Sequence, residues 1–443
     1  MQRIISPTFV GLFVCGMMCR FRVLKIYSHD KDSFIMIRNT ILISFIISNC
    51  YLKAKCSDLD SLALVSADSI LQAVVAEEHI PGAVVLIAQH GKTIYQKAYG
   101  SAQRYDYGLQ RMDALLPMTT EHRFDLASLT KVFATTFGIM FLVDQQKVDL
   151  DAPLFTYLPA FRGPGKDSVT VRHLLTHSAG LYPWKPLYYH ADNAQDTYAY
   201  ISRLSLLHPV GKERHYSDLG FMLLGYLIEE VSGQPLDMFL TNALYKPVGL
   251  KMTAFNPPPG GPGFAATSHG NPYEYHMVAD DDFGYLCDEN PETFTSWRDY
   301  VLAGEVNDGN AYYAHDGLAG HAGLFSTASD LQLLLDLLLN KGTHAGQRLL
   351  SEAVVETFLT KDRFGHGLAW AMSTDVIPVD DLPDGSFGHS GFTGTYAVAV
   401  PAYGLSIILL TNRQNVGVNA SGYYNSVTPL RKSITELMIE AVQ

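Results

Sequence analysis

Phe124-Asp125-Leu126-Ala127-Ser128-Leu129-Thr130-Lys131, continued by Val132-Phe133-Ala134-Thr135-Thr136-Phe137-Gly138-Ile139-Met140, is the stretch that organises this chain. Small and polar residues run straight into a long apolar segment, which predicts the start of a buried helix. On such a helix Ser128 and Lys131 lie one turn apart and share a face. A serine hydroxyl is a poor nucleophile until a neighbouring base takes its proton. A lysine at this spacing serves as that base if burial disfavours its charged form, so Lys131 is expected unprotonated. The first turn of the helix also offers unpaired N–H groups and partial positive charge to a developing oxyanion. Spacing alone does not single the pair out, because Ser28-His29-Asp30-Lys31 repeats it in a segment with none of this context.

The surroundings of this stretch fit one large fold. With 443 residues, 47% hydrophobic and 17% charged, the chain can bury a large core as one big domain or two intertwined ones. A net charge of −12 argues against a nucleic-acid partner, whose binders carry a basic face. Residues 1–56 differ from the rest. They hold Cys15, Cys19, Cys50 and Cys56, leaving Cys287 as the only cysteine beyond them. Met36-Ile37-Arg38-Asn39, the apolar run Ile41 to Ile47 and Ala54-Lys55-Cys56 have the layout of a secretory signal with its cleavage site. Residues 1–56 are therefore read as a leader, with Met36 as the true start, and residues 57–443 as the exported domain. The alternatives are an N-terminal membrane anchor or a lipid on Cys50 or Cys56. With one cysteine left, the mature chain has no internal disulfide.

Along the domain, residues 59–78 have helical spacing. Ala83 to Ala88 and Thr93 to Tyr99 form a hairpin about His90-Gly91-Lys92. Residues 153–355 are read as an inserted, mainly helical region. Within it lie a short helix over Thr170 to Thr176, a buried helix from Asp218 to Val231 and a capped helix from Thr327 to Asn340. Pro257 to Gly263 is a loop, and the aperiodic residues 265–315, rich in Asp, Tyr, Asn and His, are expected to form a long functional loop or lid. Short β runs at Gly367 to Met372, Ser386 to Ser390, Gly394 to Val400 and Leu405 to Thr411 precede a closing helix over 427–442. Strands at both ends with helices between predict an α/β (α+β) fold, its antiparallel sheet built from both termini.

Two further motifs share the chemistry. Arg214-His215-Tyr216-Ser217-Asp218-Leu219-Gly220 puts a tyrosine and a short acid just before a buried helix, and Asp218 is also a candidate cap for it. Gly388-His389-Ser390-Gly391-Phe392-Thr393-Gly394 begins a strand with glycines that permit close backbone approach. With these in place, roughly residues 60–440 resemble the serine β-lactamase and penicillin-binding-protein-like family, in particular its class C-like branch. Leu174 to Leu181, Tyr216 to Gly225, Gly320-His321-Ala322-Gly323-Leu324-Phe325-Ser326-Thr327 and Leu409 to Arg413 extend the likeness.

The resemblance implies Ser128 as the acylated nucleophile, Lys131 as its proton acceptor and Tyr216 as the proton shuttle. It places His389-Ser390-Gly391 where the family carries Lys-Thr-Gly, and makes an oxyanion hole of the Ser128 and Phe392 N–H groups. Asp218 stands where the class C enzymes have asparagine and lies beside the substrate. His389 is expected to hold an anionic substrate group when protonated. His177 and His321 are expected to tie loops. The histidines show no paired metal spacing, and no glycine-rich phosphate loop follows a strand, so neither metal nor cofactor is expected. The implied activity is amide cleavage in peptidoglycan or its fragments, of the D,D-carboxypeptidase or N-acetylmuramoyl-L-alanine amidase type, on a cell-wall-derived substrate. A carboxylesterase is the alternative enzyme. A non-catalytic penicillin-binding or cell-wall-sensing module is the alternative outside catalysis.

Overall fold

Ile80-Pro81 stops the first helix, α1 (Ser61–Ala76), and the apolar run behind it becomes β1 (Gly82–Gln89), buried along nearly its whole length. The computed structural model of the chain describes residues 61–258 and 263–443. The leader, the Met36 start and the Cys50 and Cys56 positions lie outside these residues. β1 turns at His90-Gly91 into β2 (Lys92–Asp106), which runs well past Tyr99 and pairs with a further strand, β3 (Gln110–Pro117). β3 lies mostly exposed at the sheet edge, so burial never imposed an apolar alternation on it.

The other half of the sheet comes from the end of the chain. The short strand β4 (Phe124–Asp125) pairs with β6 (Leu324–Ser326), and β6 also pairs with β5 (Ala254–Phe255), in a small separate sheet. β7 (Phe387–Ser390), β8 (Tyr396–Val400) and β9 (Leu405–Thr411) complete the large one, whose order is β3-β2-β1-β9-β8-β7, antiparallel throughout. β1 pairs β9 from Ala83 opposite Thr411 to Gln89 opposite Leu405, which joins the two ends of the domain at the sheet's centre. The run Gly367 to Met372, expected as a strand, supplies only an isolated bridge between Ala371 and Gly388. Its Gly367 N–H bonds instead to the Trp370 carbonyl at 2.9 Å, closing a turn.

Period-two alternation sorts the sheet's side chains onto two cores. Ala83, Val85 and Ile87 face α1 and the closing helix α7 (Thr428–Glu440), through Ala67, Leu71, Ile434 and Met438. Val84, Leu86, Ile408 and Leu410 face the larger core, which includes α2 (Phe137–Asp144) and α6 (Ala328–Leu339). Each large apolar side chain so buried contributes about 1.5–3 kcal/mol, so the many on this face fix where the helices lie.

Within residues 153–355, α3 (Asp218–Ser232) crosses the larger core, its N-cap Ser217 accepting a hydrogen bond from the Gly220 N–H. The cap is thus Ser217 and not Asp218. Residues 265–315 are less irregular than their composition suggests. They hold α4 (Pro272–Ala279) and α5 (Gly309–His315), both only about two turns long. Aromatic packing among Trp184, Tyr188, Phe283, Phe294 and Trp297 holds this region in place of a periodic apolar stripe. Among the described residues no helix is long and apolar enough to cross a membrane.

Candidate active site

The nucleophile stretch leaves β4 through a strained turn. Ala127 has φ of +46°, a left-handed conformation that a residue with a Cβ adopts only when its surroundings hold it. Asp125 provides that hold. Its buried carboxylate accepts the Ala127 N–H at 2.8 Å and the Asn307 N–H at 2.6 Å. Burial, first, raises its pKa to about 6, against the pull of those N–H donors. From the other side Thr393 donates to the Asp125 carbonyl at 2.7 Å and Thr395 to the Leu126 carbonyl at 3.0 Å. Gly391 sits between them, and a Cβ there would overlap Thr395 Oγ1 and the Leu126 carbonyl oxygen. That overlap explains the glycine after His389-Ser390.

Ser128 lies in the turn that opens the helix, and the helix is not regular. Lys131–Thr136 form a π-turn before α2 begins, and the Thr136 hydroxyl donates to the Lys131 carbonyl at 2.7 Å. Such insertions inside helices occur frequently at functional sites. Lys131 is 1% exposed, with its Nζ 2.9 Å from Ser128 Oγ and 3.2 Å from the His321 carbonyl, to both of which it donates. The same Nζ lies 2.7 Å from Asp218 Oδ1, an ion pair rather than a directed hydrogen bond. Taking an ammonium out of water costs several kcal/mol, so it persists here only because these partners surround it.

These contacts overturn the expected protonation of Lys131. Burial pushes its pKa down, but the charge of Asp218, then Tyr216, more than offsets that and holds it above the ordinary lysine value. Lys131 is an ammonium in the resting site. Tyr216 is raised too, by burial first, although hydrogen bonds from Lys131 and Ser128 draw it back. Its ring packs 4.3 Å from that of His177, and Lys131 Nζ stands 5.0 Å from its centre. His177 accepts the Ser217 N–H at 3.1 Å through Nδ1, and burial keeps it neutral, so it holds the Tyr216 segment.

His389 requires a correction. It is buried on β7, its Nδ1 lies 2.9 Å from the Ser390 carbonyl, and its ring centre is 6.2 Å from that of Tyr216. Burial first, and the charge of Lys131 second, lower its pKa to about 3. It carries no charge at neutral pH, so it lacks the positive charge expected to hold an anion. The expectation took the solution pKa of imidazole, while a fully enclosed ring beside an ammonium loses its proton.

A cleft of about 180 Å³ opens over Ser128. Ser128, Tyr216 and Asp218 line it, with Trp184, Tyr273, Glu274, Tyr285, Asn307, Asp308, His321 and Phe392. Of the run His389-Ser390-Gly391-Phe392, Phe392 alone lines the cleft. Arg413 grips the Phe392 carbonyl at 2.7 Å through Nη2, which fixes the plane of that peptide. Among the described residues neither the Ser128 nor the Phe392 N–H donates to another protein group. Two free donors at the mouth of a nucleophile turn can receive an oxyanion.

Sequence reading missed most of the opposite wall, Glu274, Asn307, Asp308 and the aromatic rings, because residues 265–315 have no periodicity to assign. Their richness in Asp and Tyr was the available signal. His321 was expected to tie loops, and it does more. Leu324 donates to Thr130 Oγ1 at 3.1 Å and Thr135 to the Gly320 carbonyl at 2.5 Å, so the Gly320 to Leu324 run is pinned along the nucleophile helix. That brings His321 into the cleft, its Nε2 2.9 Å from Asp308 Oδ1. One ligand atom each of Asp218, Asp308 and His321 lie within 4.8 Å of one another, a spacing a cation could use, and Lys131 already stands against Asp218.

A serine on a strained turn, hydrogen-bonded to a buried lysine under a cleft with free N–H donors, defines a serine hydrolase that works through an acyl-enzyme. Comparison with known proteins agrees. The family model described as Beta-lactamase matches residues 67–425, and the chain belongs to that family. It is 33% identical over 390 residues to the N-acetylmuramyl-L-alanine amidase of Bacillus subtilis (strain 168), covering 83% of this chain and 85% of that one. It is also 33% identical over 355 residues to a protein of Escherichia coli (strain K12) provisionally named D-alanyl-D-alanine carboxypeptidase, covering 75% and 78%. In fold it is similar to EstCE1, a hydrolase with promiscuous acyltransferase activity, at TM-score 0.64 and 22% identity over 86% of this chain and 100% of that chain. A penicillin-binding protein homologue of Caulobacter crescentus gives TM-score 0.61 at 20% identity, over 87% of this chain and 98% of that one.

Proposed function

We propose that this protein acylates Ser128 and cleaves an amide bond in peptidoglycan or its fragments, as a D,D-carboxypeptidase or an N-acetylmuramoyl-L-alanine amidase. The observation that carries this reading is Lys131 Nζ standing 2.9 Å from Ser128 Oγ and 2.7 Å from Asp218 beneath the cleft. The names of the two relatives supply the substrate class. Ser128 Oγ attacks the carbonyl carbon, and the oxygen takes up negative charge between the Ser128 and Phe392 N–H groups. An ammonium accepts the serine proton only as it passes one on, so Lys131 relays it, with the Asp218 carboxylate as the neighbouring acceptor. Collapse of the tetrahedral species breaks the C–N bond, and the amine leaves with a proton returned through Tyr216. Water then repeats the sequence on the acyl-enzyme and frees Ser128.

Peptidoglycan lies outside the cytoplasm, so the same reading requires export, for which residues 1–56 are the leader. The test is incubation with a mixture of muropeptides followed by mass spectrometry. Loss of a terminal alanine identifies a carboxypeptidase, and release of the whole peptide from the sugar identifies an amidase. Unchanged muropeptides alongside rapid hydrolysis of simple acyl esters would replace the reading with a carboxylesterase.

A further inference from the structure

The Phe392 N–H belongs to a turn, residues 391–395, that is held from two sides. Toward the nucleophile, the Thr393 and Thr395 hydroxyls donate to the Asp125 and Leu126 carbonyls at 2.7 and 3.0 Å. The other hold comes from two guanidiniums. Arg413 donates to the Phe392 carbonyl oxygen through Nε at 3.2 Å and Nη2 at 2.7 Å, and to the Asn425 carbonyl through Nη1 at 3.0 Å. Arg431 donates through Nη2 to the Thr395 carbonyl at 3.0 Å and to the Gly391 carbonyl at 3.4 Å. The Thr395 carbonyl also accepts the Gly391 N–H at 2.7 Å, which closes the turn. Both arginines are half-buried, and neither lines the cleft that Phe392 lines.

Among the described residues neither arginine is paired with a carboxylate. The titratable groups that act on Arg413 are Tyr424 and Tyr273, and those that act on Arg431 are Arg413 and Tyr396. Burial lowers both pKa values, and the charge of Arg413 helps bring Arg431 to about 10, so two cations repel each other here at neutral pH. A brace for a turn needs donors but no charge, and a like-charge pair without a counter-ion is a costly one. The placement gives the charge a use. Across a trans peptide the Phe392 N–H points opposite to the Gly391 carbonyl oxygen, and so away from Arg431. The guanidinium thus faces the negative end of that peptide dipole, and an oxyanion would meet the positive end.

We infer that Arg413 and Arg431 are positioning residues of the oxyanion hole, which fix the Phe392 N–H and place uncompensated positive charge behind it, a deduction that rests on the serine-hydrolase reading of the cleft. The charge acts when the carbonyl oxygen becomes an anion, so it lowers the barrier without tightening the ground-state complex.

The experiment measures kcat and KM of the wild type, Arg413→Lys, Arg413→Gln and Arg431→Gln on p-nitrophenyl acetate and on p-nitrophenyl succinate, which carries a carboxylate. Glutamine keeps a donor for the carbonyl and removes the charge, whereas lysine keeps the charge. Each glutamine variant should lose about tenfold or more in kcat on both esters, with KM within about twofold, and Arg413→Lys should stay within about threefold of the wild type. Urea unfolding verifies that the variants fold. The amide signal of Phe392 in protein carrying ¹⁵N-labelled phenylalanine, assigned through Phe392→Leu, reads the turn without turnover. Its proton shift should move upfield in Arg431→Gln, as the peptide loses its polarising cation. Unchanged kcat in the glutamine variants, or equal losses in Arg413→Lys and Arg413→Gln, would overturn the inference and leave the arginines a mere brace. So would a loss confined to KM or to the succinate ester, which would make them a site for a substrate anion, and so would an unmoved amide signal. An amide signal that moves as expected in a protein whose Ser128 neither hydrolyses the esters nor takes a serine-directed phosphonate would overturn the hydrolase reading and leave the polarised N–H standing.

Discussion

At the scale of single residues, the decisive pair is Lys131 and Asp218. Lys131 keeps its charge inside the core because Asp218 faces it at 2.7 Å. Its pKa is raised on folding, so the stabilisation is complete below the unfolded value of about 10.5 and fades only as pH rises through the folded one. Asp218→Asn should therefore destabilise the protein at pH 7, by about 3 kcal/mol for a broken buried pair with one partly exposed partner. The variant also loses the carboxylate to which Lys131 passes its proton, so kcat/KM should fall at least tenfold. Urea unfolding and steady-state kinetics check both, and undiminished kcat/KM would mean that Asp218 does not accept that proton. His389 works in the opposite sense. Its pKa falls to about 3 in the folded protein, so its contribution is complete above about 6.5 and is lost as pH drops toward 3. In His389→Gln the loss of stability between pH 6.5 and 4 should be shallower, by up to about 1.4 kcal/mol per pH unit. Parallel slopes for the two proteins would show that the ring is charged or accessible after all.

At the scale of elements, the site is a meeting of the β4-to-helix turn, the end of β7, the segment before α3 and the Gly320 to Leu324 run. Gly391 is where β7 touches the nucleophile turn. Gly391→Ala should displace one or the other, costing about 1–3 kcal/mol for overpacking and at least tenfold in kcat/KM. A fully active variant would show that the contact yields without disturbing Ser128. Ser128, Lys131, Tyr216 and the glycine-rich strand were legible because each falls at an element boundary that the residues themselves mark. So were β1, β8, β9 and the helices over 61–76, 218–232 and 328–339, whose apolar residues must face a core. The π-turn was not legible, since its six residues read as ordinary helix. Neither was the protonation of Lys131, which depends on an acid 87 positions away and on burial that spacing cannot report. The acidic wall of the cleft was hidden for a related reason. Residues 265–315 are held by ring-on-ring contacts and by Asn271 and Asn307 hydrogen bonds rather than by a repeating apolar face.

At the scale of the whole molecule, one antiparallel sheet unites the two ends of the domain, and the long middle segment brings tyrosines, aspartates and histidines over the nucleophile that the sheet supports. If the leader is removed for export, the mature chain begins near Ser57 and is more acidic than the full-length net charge of −12. N-terminal sequencing of the native protein decides this; a start upstream of Met36 would contradict it, and acylation at Cys50 or Cys56 would make it a lipoprotein. The central claim is covalent catalysis at Ser128, and the most direct measurement is the intact mass of the protein after treatment with a serine-directed phosphonate, with the modified residue located by peptide mapping. The account predicts a single adduct on Ser128 in the wild type, and in Ser128→Ala neither adduct nor turnover although the fold is kept. An adduct on another serine, or undiminished turnover in Ser128→Ala, would contradict it.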